Sequence, residues 1–212
     1  MKKIVVFSLI GLAVMLSSCN FFMPLLGLTF GFGFPKYRSA DESMAYLEKE
    51  FSYFPEYYAW IAEKENWNSL VHTEGMWPRA MFFAADGHEI KYDSSKLCMG
   101  TAARLASHLG EPGLEEIVTT NVNFNEYFDL LAFEPEMRFD PTELGQSYDY
   151  VVLLFWGEFV IDKANVVVTY VADSARLNPY SKVAVIPVCM DASKTYFKNK
   201  KEYRKLFVSI EK

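Results

Sequence analysis

The chain has 212 residues, which is the size of one domain or of one domain with an appendage. Hydrophobic residues make up 51%, charged residues 23% and aromatic residues 17% of it, and this composition excludes intrinsic disorder, collagen-like repeats and small disulfide-dense scaffolds. The net charge of −6 leaves no basic surplus to displace counterions from a phosphate backbone, so we expect no nucleic-acid partner.

The N-terminus has the pattern of a secretory signal peptide. Lys2 and Lys3 precede the apolar run 4–16, and two serines then lead to Cys19. The lysines are expected to stay on the cytoplasmic side, and the small residues allow a peptidase to approach the backbone. An uncleaved membrane helix is the alternative, but Pro24 and the glycines after it disfavour one continuous helix.

The segment Leu16-Ser17-Ser18-Cys19 resembles the lipobox of bacterial lipoproteins. The resemblance implies that the Cys19 sulfur receives a diacylglyceryl group, that residues 1–18 are removed as the signal peptide, and that the new amino group is acylated. Several acyl chains anchor a protein stably, whereas one does not. Asn20 follows the cysteine, and an asparagine at this position resembles the lipoproteins of the outer membrane. The sequence therefore predicts an envelope protein held in membrane lipid through Cys19, in the outer rather than the inner membrane.

Residues 19–38 are predicted to be the lipid anchor with an apolar tether or strand, and large and small side chains alternate from Leu26 to Phe34. Alternation with a period of two places every large side chain on one face of a strand. A strand that packs this face on the domain core is the favoured interpretation. The alternative is a strand that associates with lipid or with identical chains, and this would require an oligomer because one strand cannot satisfy its own backbone in lipid.

A region of helices and a β-hairpin is predicted over residues 39–145. Ser39-Ala40-Asp41-Glu42 reads as a capping box that opens a helix, and Pro55 suits the first position of a second helix over 56–65. Aromatic residues are unusually dense around this second helix. At helical spacing they are typical of core packing, and the alternative is a platform that stacks sugars or peptides, formed by Tyr57, Tyr58, Trp60 and Trp67.

Residues typical of turns and helix caps mark the ends of the predicted elements in the rest of this region. Asp86-Gly87 between two apolar runs predicts a β-hairpin, and residues 100–109 read as a helix that ends at Gly110. Asn123 or Asn125 is expected to cap a further helix through residue 131. The proline-containing polar stretch 134–146 is predicted to be a linker, so a domain boundary is placed there.

The last segment, residues 146–212, has the pattern of a βαβ unit followed by a C-terminal helix. Tyr148–Trp156 is a nearly continuous apolar run, as expected for a strand buried on both faces. A helical pattern follows from Val160 to about Ala175, and Lys182–Val188 forms a second buried strand. These elements predict an α/β fold with a right-handed crossover, and an α+β fold is also compatible.

The segment Phe155-Trp156-Gly157-Glu158-Phe159 resembles the end of the central strand of thioredoxin-like proteins, just before their active-site helix. In that family a Cys-x-x-Cys pair follows, whereas Val160 and Lys163 stand at these positions here. Neither residue attacks or resolves a disulfide. The hairpin and cis-proline expected after Asp191 are either missing or replaced by the Asp86-Gly87 hairpin upstream. The resemblance implies a degenerate thioredoxin-like domain.

Two cysteines besides Cys19 remain in the mature chain. Cys98 and Cys189 would close a loop of roughly 90 residues, and a disulfide between them would contribute about 4–5 kcal/mol in the chain-entropy model. The alternative is two free thiols, with Cys189 acting as a small hydrophobic residue at the end of a strand. His72 and Glu74 are too few ligands for a zinc site, so we predict no metal and no cofactor.

The favoured function is an envelope lipoprotein whose thioredoxin-like domain binds a partner without catalysing a reaction. No nucleophile motif, phosphate-binding loop or metal-binding motif occurs, although this leaves an enzymatic role open. One alternative is a thiol-dependent redox protein that uses Cys98 and Cys189. Another is a glycan- or peptide-binding lipoprotein that uses the aromatic platform. The basic run between Lys194 and Lys205 is interpreted as a solvated helix face, with contact to anionic lipid or an envelope protein partner as the alternative.

Overall fold

The computed structural model describes residues 36–51, 55–74, 79–91, 99–113, 117–133, 141–158, 164–194 and 197–202. The predicted signal peptide, Cys19 and the alternating segment 26–34 lie outside these ranges. Within them, no helix has the length and apolar character that a membrane crossing requires.

Strands and helices alternate along most of the described chain. The strands are β1 (Tyr37–Arg38), β2 (Ala59–Ile61), β3 (Arg79–Ala84), β4 (His88–Lys91), β5 (Ile117–Asn123), β6 (Leu131–Phe133), β7 (Tyr150–Trp156), β8 (Val183–Cys189) and β9 (Ala192–Ser193). The helices are α1 (Ala40–Phe51), α2 (Lys64–Glu74), α3 (Met99–His108), α4 (Phe124–Phe128), α5 (Pro141–Ser147) and α6 (Ala164–Arg176). The predicted α/β class is confirmed.

A seven-stranded mixed sheet forms the centre of the fold, in the order β5-β4-β3-β7-β8-β2-β6. β7, β8 and β2 are parallel neighbours, and the outer strands pair antiparallel on both sides. β3 pairs with β7 along its whole length, so strands from both sides of residue 145 belong to one sheet. β1 and β9 form a separate two-stranded parallel sheet.

The predicted βαβ unit is present as β7, α6 and β8. β7 and β8 pair in parallel from Tyr150 opposite Val183 to Trp156 opposite Cys189. Residues 151–156 are at most 1% exposed, as the continuous apolar run predicts for a strand covered on both faces. On α6, Val168, Val171 and Ala175 are buried while Tyr170 is exposed, so one face of the helix packs on the sheet.

The predicted turns and caps are largely confirmed. In the capping box of α1, the Ser39 backbone N–H donates to the Glu42 carboxylate at 2.8 Å, and the Glu42 N–H donates to the Ser39 hydroxyl at 3.3 Å. Gly87 has φ +88° in the β3–β4 hairpin, and a Cβ there would lie 2.8 Å from the Asn123 side chain, so a larger residue would be strained. Asn123 caps α4, which ends at Phe128 rather than continuing to residue 131.

The predictions for residues 56–65 and 134–146 are wrong. The predicted helix over 56–65 is instead strand β2, and α2 begins only at Lys64. β2 pairs with β8 on one side and β6 on the other, and this non-local pairing outweighs the helical spacing of the aromatic residues. The predicted linker 134–146 contains α5, whose first residue is Pro141, a favourable position for proline.

Candidate functional site

Two buried acidic residues meet where β7 and β8 end. β7 and β8 are paired in parallel up to Trp156 opposite Cys189, so Glu158 and Asp191, each two residues farther along, become neighbours. Glu158 is 5% exposed and Asp191 is 4% exposed. In open α/β sheets the carboxyl ends of parallel strands are the usual place for ligand binding, which makes this end of the sheet the candidate site.

Asp191 connects three separate parts of the chain. Its Oδ1 accepts a hydrogen bond from the Lys36 backbone N–H at 2.7 Å, and its Oδ2 accepts one from the Glu158 N–H at 2.7 Å. Burial raises the pKa of this carboxyl to about 7, and the negative charge of Glu158 adds to the increase while the two N–H groups oppose it.

Arg38 forms a two-pronged ion pair with Glu158. The guanidinium Nε lies 2.9 Å from Oε1 and Nη2 lies 3.0 Å from Oε2. The Glu158 side chain is 4% exposed and that of Arg38 is 40% exposed, so the pair lies at the boundary between core and solvent. The hydrogen bonds to Glu158 raise the pKa of Arg38 further above its ordinary value.

Residues 36–39, which we call the strap, are fixed to this end of the sheet. β1 of the strap pairs with β9, and the Arg38 carbonyl accepts a hydrogen bond from the Lys194 backbone N–H at 2.7 Å. The Tyr37 hydroxyl donates to the Phe197 carbonyl at 2.6 Å. The strap begins 17 residues after Cys19.

A narrow cleft lies between the strap, the first turn of α1 and the strands β2 and β8. Its walls include Arg38, Ser43, Tyr58, Trp60, Cys189 and Asp191. The free space inside is about 10 Å³, which is room for about one water molecule. Only the tip of a ligand fits into the cleft in this conformation.

Tyr58 is the unusual member of the cleft wall. The residue has no exposed surface. Burial raises the pKa of Tyr58 well above its ordinary value, the charge and hydrogen bond of the neighbouring Cys189 add to the increase, and a hydrogen bond with the Ser43 hydroxyl opposes it.

Cys189 is a buried free thiol on the same wall. Burial raises its pKa to about 12, and the nearby Asp191 charge contributes to the increase. Its Sγ lies 3.9 Å from the Asp191 Oδ2 and donates a weak hydrogen bond to it. Cys98, its partner in the disulfide hypothesis, lies outside the described residues, so the pairing stays a prediction.

The four aromatic residues of the predicted platform have different environments. Trp67 and Tyr58 have no exposed surface, and the Trp67 indole N–H donates to the Met190 carbonyl at 3.1 Å. Trp67 also packs edge-on against Phe197 with ring centroids 5.7 Å apart. Tyr57 and Trp60 are partly exposed, and of these two Trp60 lines the cleft. The predicted platform therefore consists of two core residues, Tyr58 and Trp67, and two partly exposed residues, Tyr57 and Trp60.

No group of three or more metal-ligating side chains occurs among the residues that the structure describes. His72 and Glu74, the two residues considered as zinc ligands, belong to α2. The acidic pair Glu158 and Asp191 was not identified as a site from the sequence. The available signal was an acidic residue soon after each of two buried strands, in a position where a turn residue would also be expected.

Neither a protein-family model, nor a curated protein, nor a solved structure matches this chain. The likeness to thioredoxin-like proteins and to lipoproteins therefore rests on the sequence motifs. All peptide bonds within the described ranges are trans, including the one before Pro187 in β8.

Proposed function

We propose that this chain is a lipoprotein of the bacterial cell envelope, anchored through acylated Cys19, whose degenerate thioredoxin-like domain is a non-catalytic binding module. The observation that carries the proposal is the motif Leu16-Ser17-Ser18-Cys19 behind a basic and then apolar N-terminus. Its outer-membrane location is proposed from Asn20. The βαβ unit and the Asp86-Gly87 hairpin beside β7 support the thioredoxin-like part of the proposal.

A binding role agrees better with the site than thiol chemistry does. A reactive cysteine needs an accessible thiolate, whereas Cys189 is buried and its pKa is raised to about 12. The redox alternative, which uses Cys98 and Cys189, predicts a disulfide that cycles under mild reductant. It also predicts that Cys189→Ser abolishes reductase activity, so an insulin-reduction assay of wild type and variant tests it directly. We expect no activity above background in either protein.

The intact mass of the protein from a bacterial membrane fraction tests the anchor. We expect the mass of residues 19–212 plus acyl chains, and a Cys19→Ser variant serves as the control that lacks them. An unmodified full-length mass would refute the lipoprotein proposal. Alkylation of the unfolded protein before the measurement also counts the free thiols. Modification of both Cys98 and Cys189 without reductant would exclude the disulfide.

A further inference from the structure

We propose that three exposed lysines beside the strap, Lys198, Lys200 and Lys201, bind the anionic phospholipid headgroups of the membrane that carries the predicted anchor. We call these three residues the basic surface. This inference rests on the proposed lipoprotein function and names a second contact of the protein with its membrane. Acyl chains on Cys19 would hold the chain in the membrane, and the basic surface would hold the domain against it.

The basic surface belongs to a run whose charge is opposite to that of the rest of the chain. Residues 194–205 contain six basic side chains and one acidic side chain, whereas the whole chain contains 21 basic and 27 acidic side chains. The positive charge is therefore concentrated in one place on an acidic protein. Such a concentration attracts a negatively charged partner and fixes the orientation in which the protein meets it.

The single acidic residue of this run does not neutralise the basic surface. The Glu202 Oε1 lies 2.7 Å from the Lys64 Nζ of α2, and its Oε2 accepts the Lys198 backbone N–H at 2.9 Å. The hydrogen bond from Lys64 and the one from this N–H lower the pKa of Glu202, so it stays charged at neutral pH. Within the described part of the chain, the ammonium groups of the basic surface form no ion pair.

Contacts with the core and with the strap fix the position of the basic surface. Phe197, which precedes it, is 1% exposed and packs edge-on against Trp67 with ring centroids 5.7 Å apart. The Phe197 carbonyl accepts the Tyr37 hydroxyl of the strap at 2.6 Å, and the Lys64 Nζ lies 5.7 Å from the centre of the Phe197 ring. The lysines therefore follow directly after a buried residue that the strap contacts.

The position beside the strap suits contact with the membrane. Lys36, the first residue of the strap, is 17 residues after Cys19, and a chain of that length spans at most about 60 Å. A protein anchored through Cys19 would therefore keep the basic surface close to the headgroups. Each lysine next to an anionic membrane strengthens binding about fivefold, so three of them favour the docked domain about a hundredfold.

The arrangement of the lysines favours a membrane over a small anion. They occupy exposed positions within four residues of chain and do not line the cleft. A lysine ammonium is a hydrated point charge on a flexible stem, whereas recognition of a single phosphate commonly uses the rigid fork of arginine. A layer of headgroups is bound through summed charge and requires no converging donors. The basic surface has the features of this second kind of recognition.

Lysine labelling on lipid vesicles tests the inference. The lipoprotein purified from membranes is added to preformed vesicles of phosphatidylcholine, alone or with about 30% phosphatidylglycerol, and neither lipid contains an amine. N-hydroxysuccinimide acetate, which is uncharged, then labels the lysines, and peptide masses give the rate at each position. We expect the basic surface to react at least about fivefold more slowly on the anionic vesicles, and about 0.5 M salt should remove the difference.

Lys182 is the internal control for the labelling. It is exposed and directly precedes β8, whose other end leads to Asp191 and the strap. It therefore lies at the end of the sheet that is remote from the basic surface. Its rate should be the same on both kinds of vesicle.

A charge variant tests the same surface by a second measurement. The variant carries Lys198→Gln, Lys200→Gln and Lys201→Gln. Energy transfer from the protein's tryptophans to a dansyl-labelled headgroup should be greater on anionic vesicles for wild type, and the variant should lose most of this difference. The matched control keeps the difference although its net charge changes equally, because its three exposed substitutions lie elsewhere: Arg104→Gln, Arg176→Gln and Lys182→Gln. The urea midpoints of both variants should equal that of wild type, since all six positions are exposed.

Four results would overturn the inference. The first is equal labelling of the basic surface on both kinds of vesicle, and the second is equal slowing at Lys182, which would mean general attraction rather than a defined surface. The third is an equal loss of energy transfer in the control variant. The fourth is stronger protection by soluble polyglutamate than by anionic vesicles at equal charge concentration, which would indicate an acidic protein partner instead of lipid.

Intact mass distinguishes this inference from the proposed anchor. Acyl chains in the mass together with unprotected lysines would leave the lipoprotein proposal standing and remove the lipid-binding surface. A chain without acyl groups that floats with anionic but not with phosphatidylcholine vesicles, and no longer does so in the triple-glutamine variant, would refute the anchor and support the basic surface.

Discussion

Removal of the Arg38 guanidinium tests whether the strap and the acidic pair stabilise the domain. In Arg38→Ala the Glu158 carboxylate, whose side chain is 4% exposed, loses hydrogen bonds of 2.9 and 3.0 Å and its counter-charge. Loss of one partner from a fully buried ion pair costs about 3–5 kcal/mol. The Arg38 side chain is 40% exposed, so solvent screens the pair, and we expect a loss of about 2–3 kcal/mol in the free energy of unfolding.

Urea unfolding measures this loss as a shift of the midpoint at constant slope. With a slope of about 2 kcal/mol/M, Arg38→Ala should lower the midpoint by about 1–1.5 M. Arg38→Lys keeps the charge but not the planar fork, so about half of the loss is expected. Arg176→Ala is the control, because its pair with Asp173 is longer, at 3.4 Å, and its two side chains are 72% and 54% exposed. We expect at most about 0.5 kcal/mol there.

Equal shifts in Arg38→Ala and Arg176→Ala would refute this reasoning. They would mean that the buried end of the Arg38–Glu158 pair adds nothing beyond an exposed ion pair. The slope provides a second check, because a changed slope would indicate that the strap unfolds separately from the sheet.

Three further predictions concern buried groups. Between pH 4 and 8 the free energy of unfolding of the wild type, obtained from urea midpoints, should fall by about 2–4 kcal/mol relative to that of Asp191→Asn. The reason is that the folded carboxyl keeps its proton up to its pKa of about 7, whereas the unfolded carboxyl loses it near pH 4. Two parallel curves of stability against pH would contradict this prediction. Cys189 should react with iodoacetamide at pH 8 far more slowly in the folded than in the unfolded protein, as followed by mass; equal rates would disprove its burial. Trp67→Ala should cost about 3–5 kcal/mol by urea unfolding and Tyr57→Ala clearly less, whereas equal small losses would favour a surface platform.

The sequence correctly predicted those turns and helix ends that depend on only a few adjacent residues. The capping box at Ser39, the Asp86-Gly87 hairpin and the helix end at Gly110 depend on a few adjacent residues, and each was predicted correctly. The buried strands β7 and β8 were also predicted, because a strand covered on both faces is apolar along its whole length. For these elements the pattern itself is the physical cause of the structure.

β2 could not be predicted in this way. It has only three residues, and its partners β8 and β6 lie far along the chain. The surrounding aromatic residues recur at a spacing that also suits a helix, and only the pairing with β8 decides between the two. Propensity is a weak guide where non-local hydrogen bonds are available on both sides of a segment.

The acidic pair Glu158 and Asp191 could not be predicted from the sequence for a related reason. The Glu158 N–H and the Asp191 carboxylate are 33 residues apart and meet only because the register of β7 and β8 aligns their ends. Arg38 is 120 residues from Glu158 and reaches it through the strap. In the sequence, each acidic residue after a strand resembles an ordinary turn residue. The contacts that make this site arise from strand register rather than from any local motif.

The strap connects the acidic pair with the cleft. Its contacts to Asp191 through the Lys36 N–H and to Glu158 through Arg38 hold the strap against the sheet. Arg38 is also part of the cleft wall. By linkage, a ligand that binds only the docked strap strengthens its attachment by the amount that docking strengthens binding.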